Sequence, residues 1–193
     1  ILLLTAAIWG MAFVSQSKGM DYMHPFTFNG VRSLIGAASI LVYILISRKI
    51  AGDKAAPLDW KLNVKAGLLC GIFLTIASTL QQFGIKYTSV GKAGFITTLY
   101  IIFVPMFGIF LKKKVAPVVW AAAVMAAVGM YLLCMTESLR LGAGDIMVFL
   151  CAIAFAIQIM TVDHYAARID GAVVSCIQFT VCGVVCCIGA LIW

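Results

Sequence analysis

Long runs without a charged side chain constrain this chain more than any other feature. Seven such runs occupy most of its 193 residues. They are Ile1–Ser17, Ser33–Ser47, Ala66–Ile85, Ala93–Leu111, Val115–Thr136, Ile146–Val162 and Gly171–Trp193. A helix needs about 20 mainly apolar residues to cross the hydrocarbon core of a bilayer. The runs therefore predict seven membrane-spanning helices, and the second reaches full length only if it begins near Pro25 and takes Arg32 into the membrane.

The composition leaves few other classes open. Hydrophobic residues make up 64% of the chain and charged residues 11%, whereas soluble domains average roughly 45–50% and about 25%. A soluble fold of this size could not bury so much apolar surface, but a bilayer is itself an apolar solvent. The composition excludes a soluble globular domain, a disordered chain and a secreted disulfide scaffold. It predicts an all-α, polytopic transmembrane helix bundle.

Lys and Arg in the predicted loops indicate the orientation of the chain. The even-numbered loops contain nine of these residues and the odd-numbered loops four, and cytoplasmic loops carry the excess of positive charge. The chain start is therefore expected to face the cytoplasm. Both ends, Ile1 and Trp193, lie inside apolar runs, so we expect a fragment cut within two spans. The Lys and Arg residues that give the formal net charge of +7 lie mostly at span ends, where they can contact anionic lipid headgroups. The charge therefore predicts no nucleic-acid partner.

Cysteine and histidine give no sign of a cofactor. All seven cysteines lie in apolar runs, both histidines lie in predicted loops, and no spacing matches zinc, haem or iron–sulfur ligands. We expect no metal, no cofactor and no catalytic residues, so an enzyme is not expected. Asp145, which follows Gly142-Ala143-Gly144, is interpreted as a cap at the start of the sixth span.

A weak internal repeat strengthens the topological argument. A shift of 146 residues places Leu4 on Leu150 and Ala6 on Ala152. Five spans separate the two copies, so the second copy would enter the membrane in the opposite direction. Inverted-topology repeats are frequent in secondary transporters. The chain would then contain one full repeat and the first two spans of a second.

Arg32 is the unusual charge of the predicted membrane region. It lies about seven residues into the second span, roughly 10 Å from the extracellular end. Arginine keeps its proton, and placing a charged side chain inside the membrane costs free energy on insertion scales. Two interpretations stay open: a cation that lines a substrate path and binds a carboxylate, or an interfacial side chain that reaches back to the membrane surface.

The other polar groups of the predicted spans are residues of the fourth span and several glutamine side chains. The fourth span carries Thr97, Tyr100 and Pro105, and the proline should kink the helix and free the carbonyl of Ile101 near mid-membrane. Intramembrane glutamines either bind substrate or join helices, and Trp9 either stacks on substrate or packs. The predicted substrate-binding residues are Trp9, Arg32, Thr97, Tyr100 and Gln178.

These residues, taken in order, resemble the EamA-type drug/metabolite transporters. The matching features are Trp9-Gly10, Arg32, and the stretch QQFGIKYTSVGKAGFITTLYIIFVPMFG from Gln81 to Gly108. Gly144-Asp145 looks like the start of a second EamA repeat, which divides the chain into residues 1–137 and 138–193. Many members have a Glu just after the fourth span, where this chain has Lys112-Lys113-Lys114.

The resemblance implies ten helices in two inverted five-helix halves, of which about seven are present here. It also implies a secondary transporter, an exporter of small polar metabolites or amino acids across the cytoplasmic membrane by alternating access. Its partners would be a small-molecule substrate and membrane lipids, with the oligomeric state open. A seven-helix channel or receptor-like protein, and less so a membrane-embedded enzyme, remain the alternatives.

Overall fold

A computed structural model describes residues 2–51, 59–111, 115–134 and 142–193 of the chain. These ranges are almost entirely helical and contain no strand. The helices are α1 (Leu2–Gly19), α2 (Pro25–Ala51), α3 (Trp60–Tyr87), α4 (Val90–Thr98), α5 (Tyr100–Phe110), α6 (Pro117–Cys134), α7 (Ala143–Tyr165) and α8 (Gly171–Ile192). A short 3₁₀ turn, Ala166–Arg168, follows α7. The predicted all-α class is confirmed.

Each apolar run is helical over nearly all of its described residues. The second span does begin at Pro25 and includes Arg32. Pro25 and Pro117 open α2 and α6, the position where a missing N–H costs nothing. Asp170 caps α8, because its carboxylate accepts hydrogen bonds from the backbone N–H groups of Ala172 (3.0 Å) and Val173 (3.3 Å).

The fourth predicted span is two helices rather than one. The interruption between α4 and α5 lies at Leu99, six residues before Pro105, which is inside α5. The backbone carbonyl of Leu99 accepts from both Ile102 (2.9 Å) and Phe103 (3.1 Å), so the chain stays hydrogen-bonded through the interruption. A kink at Pro105 itself stays a prediction.

Five helical stretches among the described residues are long and apolar enough to cross a membrane. They are Pro25–Ile50, Trp60–Tyr87, Val90–Phe110, Ala143–Arg168 and Gly171–Ile192. The other two predicted spans correspond to α1 and α6, with 18 residues each, near the lower end of the about 17–25 residues of a spanning helix. Large apolar side chains stand exposed along these helices, for example Ile35, Leu45 and Val118, as expected of surfaces that face lipid. The chain is thus a multi-pass helical membrane protein.

The chain forms two compact units, and α3 and α7 contribute to both. The first unit comprises Ile1–Pro25 and Ala77–Ala156. Within it, α6 packs against α4 and α5, and α1 packs against α4. Its core joins Ile85 of α3, Ile96 of α4 and Val148 of α7, with Phe13 of α1 packed against them.

Small residues bring α3 and α7 close together in the first unit. A Cβ atom added to Gly144 would lie 2.8 Å from the backbone carbonyl oxygen of Gly84 and 2.8 Å from the backbone of Tyr87. No larger residue fits there without moving the backbone, so glycine allows the close approach.

The second unit comprises Phe26–Ile76 and Ile157–Trp193. Its helix α8 crosses α3 at two glycines one turn apart, because Cβ atoms added to Gly67 and Gly71 would lie 2.7 Å from Ile177 and 2.8 Å from Val181. It crosses α2 at Gly183, where an added Cβ would lie 2.7 Å from the side chain of Leu34. Small-residue contacts of this kind are typical of helix pairs in membranes.

Polar contacts within each unit join the ends of neighbouring helices. In the second unit, Asp170 before α8 forms an ion pair with Arg48 near the end of α2 (3.3 Å), and its N–H donates to Asn63 Oδ1 near the start of α3 (2.8 Å). In the first unit, Asp145 at the start of α7 lies beside Lys92 at the start of α4. The end of α2 and the start of α3 therefore lie beside the residue before α8, and the starts of α4 and α7 lie side by side. The predicted division at residues 137 and 138, like Lys112-Lys113-Lys114, lies outside the described residues.

Candidate functional site

Arg32 projects from α2 of the second unit and is held by residues one turn earlier on its own helix. Its Nη2 donates a hydrogen bond to Oδ1 of Asn29 (3.0 Å), and its guanidinium carbon lies 5.6 Å from the centre of the Phe28 ring. Asn29 is fully buried, while Arg32 is exposed. No carboxylate within the described ranges lies within ion-pair distance of Arg32. The charge is thus oriented by an amide and an aromatic ring, but it is not neutralised by them.

A second polar contact lies beside Arg32, between α2 and α8. The hydroxyl of Ser33 donates to the sulfur of Cys182 at 3.4 Å. Gln178 lies one turn before Cys182 on α8. Its side-chain oxygen Oε1 accepts a hydrogen bond from Nε2 of Gln158 on α7 at 3.0 Å. The structure therefore places Arg32 and Gln178, two of the predicted binding residues, on neighbouring helices of one unit. Gln178 also joins two helices, the more ordinary use of an intramembrane glutamine.

We call this group the α2–α8 polar cluster. Its members are six polar side chains of the second unit: Asn29, Arg32, Ser33, Gln158, Gln178 and Cys182. Its chemistry combines one fixed cation with amide and hydroxyl groups. Such a set can bind a carboxylate through the guanidinium, which presents several donors in a planar fork.

The other three predicted binding residues lie in the first unit. Thr97 is buried near the end of α4, and its hydroxyl accepts from Nε2 of Gln81 on α3 at 3.2 Å. Tyr100 opens α5 on the far side of the Leu99 interruption and is half-buried. Trp9 is 54% exposed on α1. Thr97 and Tyr100 flank the same break in the helix, whereas Trp9 lies on α1.

An ion pair that is not predicted from the sequence lies at the start of α7. Asp145 is only 3% exposed, and its Oδ2 lies 3.6 Å from Nζ of Lys92. Its Oδ1 accepts from the hydroxyl of Thr88, and its Oδ2 accepts from the N–H of Gly142 at 2.9 Å. The last bond is the capping contact expected from the sequence, since an acidic third residue reaches back to the N-cap N–H.

A signal for that pair does exist in the sequence. Thr88 precedes α4 and Lys92 lies in its first turn, and Gly144 beside Asp145 permits close approach of α7. What the sequence lacks is any indication that these two helix starts meet in space.

A small crevice in the first unit lies between α4, α5 and α6. Its walls include Phe95, Leu99 and Ile102 with three alanines of α6, and its volume is about 10 Å³. That volume is at the lower limit for one water molecule. The crevice is too small and too apolar to hold a polar metabolite.

The fold and its polar clusters define a class of protein, a polytopic helical membrane protein with buried polar side chains on its spanning helices. Such residues are expensive in a membrane and mark substrate paths in many transport proteins. Residues 1–135 match the model of the EamA-like transporter family. The chain belongs to that family, as its resemblance indicated.

One curated relative agrees with this assignment. An "uncharacterized transporter" of Archaeoglobus fulgidus is 31% identical over 171 residues, which cover 86% of this chain and 48% of the relative. The chain thus spans about half the length of the relative that it matches. No solved structure matches the chain.

Proposed function

We propose that this protein is a secondary transporter that exports small polar metabolites or amino acids across the cytoplasmic membrane by alternating access. The family description and the printed name of the relative support transport itself. The observation that carries the finer proposal is Arg32, a cation in a membrane-spanning helix with no carboxylate partner among the described residues. A permanent charge of this kind can be stabilised by a ligand that brings a negative group.

The substrate would bind Arg32 through a carboxylate. The Asn29 amide and the Phe28 ring restrict the guanidinium, so less rotamer entropy is lost when a ligand binds. Gln178, on the neighbouring helix, would accept or donate a hydrogen bond to a second polar group of the substrate. Trp9, Thr97 and Tyr100 of the first unit are proposed to contact the substrate as well.

The remaining helices would complete a ten-helix carrier. Residues 1–137 would form the first five-helix repeat and residues 138–193 the start of an inverted second repeat, with the chain start in the cytoplasm. The Leu99 interruption gives the fourth span two segments that could change their relative angle during transport, and Pro105 lies in the second segment. Alternating access would then be rocking of one half against the other around a central site.

The test uses purified protein in proteoliposomes and a panel of radiolabelled amino acids and small carboxylates. Arg32→Ala should abolish uptake of every anionic or zwitterionic substrate that the native protein transports, with normal membrane expression. Arg32→Lys should restore it only in part, because a lysine cannot form the two-pronged contact. Arg48→Gln is the matched control, since it removes a cation from the same helix in an exposed ion pair, and uptake should persist. Uptake by Arg32→Ala at the native rate would refute the binding role and leave Arg32 as an interfacial side chain.

A further inference from the structure

Positive charge in the second unit is concentrated at one end of its helices. Five of the six Lys and Arg residues described in this unit lie near the end of α2, near the start of α3 or in the turn before α8: Arg48, Lys49, Lys61, Lys65 and Arg168. The sixth is Arg32, about four helical turns before Arg48 on α2. The described part of the unit is therefore strongly asymmetric in charge along its helices.

The three chain segments that carry these cations lie together in space. Nη2 of Arg48 lies 3.3 Å from Oδ2 of Asp170, and the N–H of Asp170 donates to Oδ1 of Asn63 at 2.8 Å. Each of the other four cations is within two residues of one of these contacts along the chain. We call these four the basic end of the second unit: Lys49, Lys61, Lys65 and Arg168.

The carboxylates described at this end do not neutralise the basic end. Asp170 pairs with Arg48 and caps α8, and Oδ1 of Asp59 accepts from the N–H of Leu62 at 3.1 Å at the start of α3. Asp163, the third carboxylate, is exposed near the end of α7. The four side chains of the basic end are all exposed, and none forms an ion pair within the described part of the chain. Five cations beside three carboxylates give the described residues here a net positive charge.

Exposed apolar side chains adjoin the basic end directly. Trp60, next to Lys61, is 60% exposed, and Ile50, next to Lys49, is 81% exposed. A tryptophan at the end of a membrane-spanning helix is typical of the membrane–water interface, where the lipid headgroups lie. Lysine and arginine side chains can reach that layer while their alkyl chains stay on apolar surface. The surroundings therefore favour a lipid headgroup over a partner in bulk water.

The first unit has a smaller excess of positive charge in its described residues. Its cations are Lys18, Lys86 and Lys92, and Lys92 is paired with Asp145. Lys18 and Lys86 are exposed near the ends of α1 and α3, and Asp21 lies three residues after Lys18. These two exposed lysines are a control of equal charge for two lysines of the basic end.

We propose that the basic end of the second unit binds the headgroups of anionic phospholipids in preference to those of zwitterionic phospholipids. The headgroup of phosphatidylglycerol carries one negative charge and no ammonium group, so it complements a surface of exposed cations. Phosphatidylcholine carries its own cation, which such a surface repels. Ordinary contact between span ends and a bilayer requires no such preference, and the preference does not depend on which substrate is transported.

Native mass spectrometry of the purified chain in a nonionic detergent can measure this preference. The protein is titrated with phosphatidylglycerol or phosphatidylcholine of identical acyl chains, and the affinity for the first bound lipid is determined. We expect phosphatidylglycerol to bind at least about fivefold more tightly, the gain expected from one basic residue near an anionic headgroup layer. A short poly-aspartate peptide tests for an acidic protein partner instead, and it should bind more weakly than phosphatidylglycerol.

Two double variants locate the binding surface. Lys61→Gln combined with Lys65→Gln should weaken phosphatidylglycerol binding by about fivefold or more and leave phosphatidylcholine binding unchanged. Lys18→Gln combined with Lys86→Gln, the same change of charge in the first unit, should leave both affinities nearly unchanged. Both double variants should keep the native Tm without lipid, because these lysines are exposed and form no ion pair among the described residues.

Three results would each overturn the proposal. The first is equal affinity of the native protein for the two lipids. The second is an equal loss of phosphatidylglycerol binding in the two double variants, which would show that only the net charge of the chain matters. The third is tighter binding of the poly-aspartate peptide than of phosphatidylglycerol, which would indicate an acidic protein partner.

Discussion

Lys92→Met is the perturbation that most directly tests the buried ion pair. The change leaves the Asp145 carboxylate buried without its counter-ion, which lies 3.6 Å away in the native protein. Removing one partner of a fully buried pair costs about 3–5 kcal/mol. Here Asp145 keeps its hydrogen bonds from Thr88 and Gly142, and the Lys92 side chain is 20% exposed. We therefore expect a smaller loss, about 2 kcal/mol, close to that of a hydrogen bond to a charged group.

The free energy of unfolding can be measured by SDS titration in mixed micelles, with tryptophan fluorescence as the signal. Combining Lys92→Met with Asp145→Asn should cost less than the sum of the two single changes by about 1 kcal/mol or more, because the double variant leaves no buried charge. Arg48→Met provides the control: its ion pair with Asp170 is 38% exposed on both sides, so it should cost about 0–1 kcal/mol. If Lys92→Met costs no more than Arg48→Met, Asp145 does not depend on Lys92 as a counter-ion.

Three further changes test packing and capping. Each should change the free energy of unfolding, and the shift in Tm measures the change. Gly144→Ala should lower the stability by about 1–3 kcal/mol, because the new methyl group meets the backbone of α3; Gly94→Ala, with nothing within 4 Å of the added atom, should be neutral or stabilising. Gln178→Leu should cost about 1–3 kcal/mol by leaving the Gln158 amide unpaired, and a further Gln158→Leu should recover part of that loss. Asp170→Ala should cost about 1 kcal/mol through the lost cap of α8, whereas Asp170→Asn, which keeps a capping oxygen, should cost less.

The helices could be predicted from the sequence because the bilayer imposes a simple rule. Every backbone polar group must be paired inside the membrane, so a charge-free apolar run has to be helical. The start of α2 at Pro25 could be predicted because Ser33–Ser47 alone is too short to cross a bilayer. Helix α8 begins at Gly171, also as predicted. The break at Leu99 could not be predicted, because neither Leu99 nor its neighbours favour a helix end. Pro105, which does, lies within a continuous helix.

The polar sites could be predicted only as lists of residues. Arg32 and Gln178 stood out because polar groups are rare in the spans, but the Ser33–Cys182 contact that places them on neighbouring helices depends on how α2 and α8 pack. Asp145 was recognised as a cap, and its contact with Gly142 agrees. Its pairing with Lys92 was missed, since the two residues are separated by two further spans.

Substrate counterflow is the most direct measurement of the central claim, that this protein is a carrier. Proteoliposomes are loaded with an excess of an unlabelled amino acid or carboxylate that the protein transports, and a trace of the labelled compound is added outside. A carrier with alternating access must accumulate the label transiently above equilibrium, and this accumulation should disappear in Arg32→Ala and persist in Arg48→Gln. Label that only equilibrates in the native protein, with no transient accumulation, would indicate a channel and contradict the account.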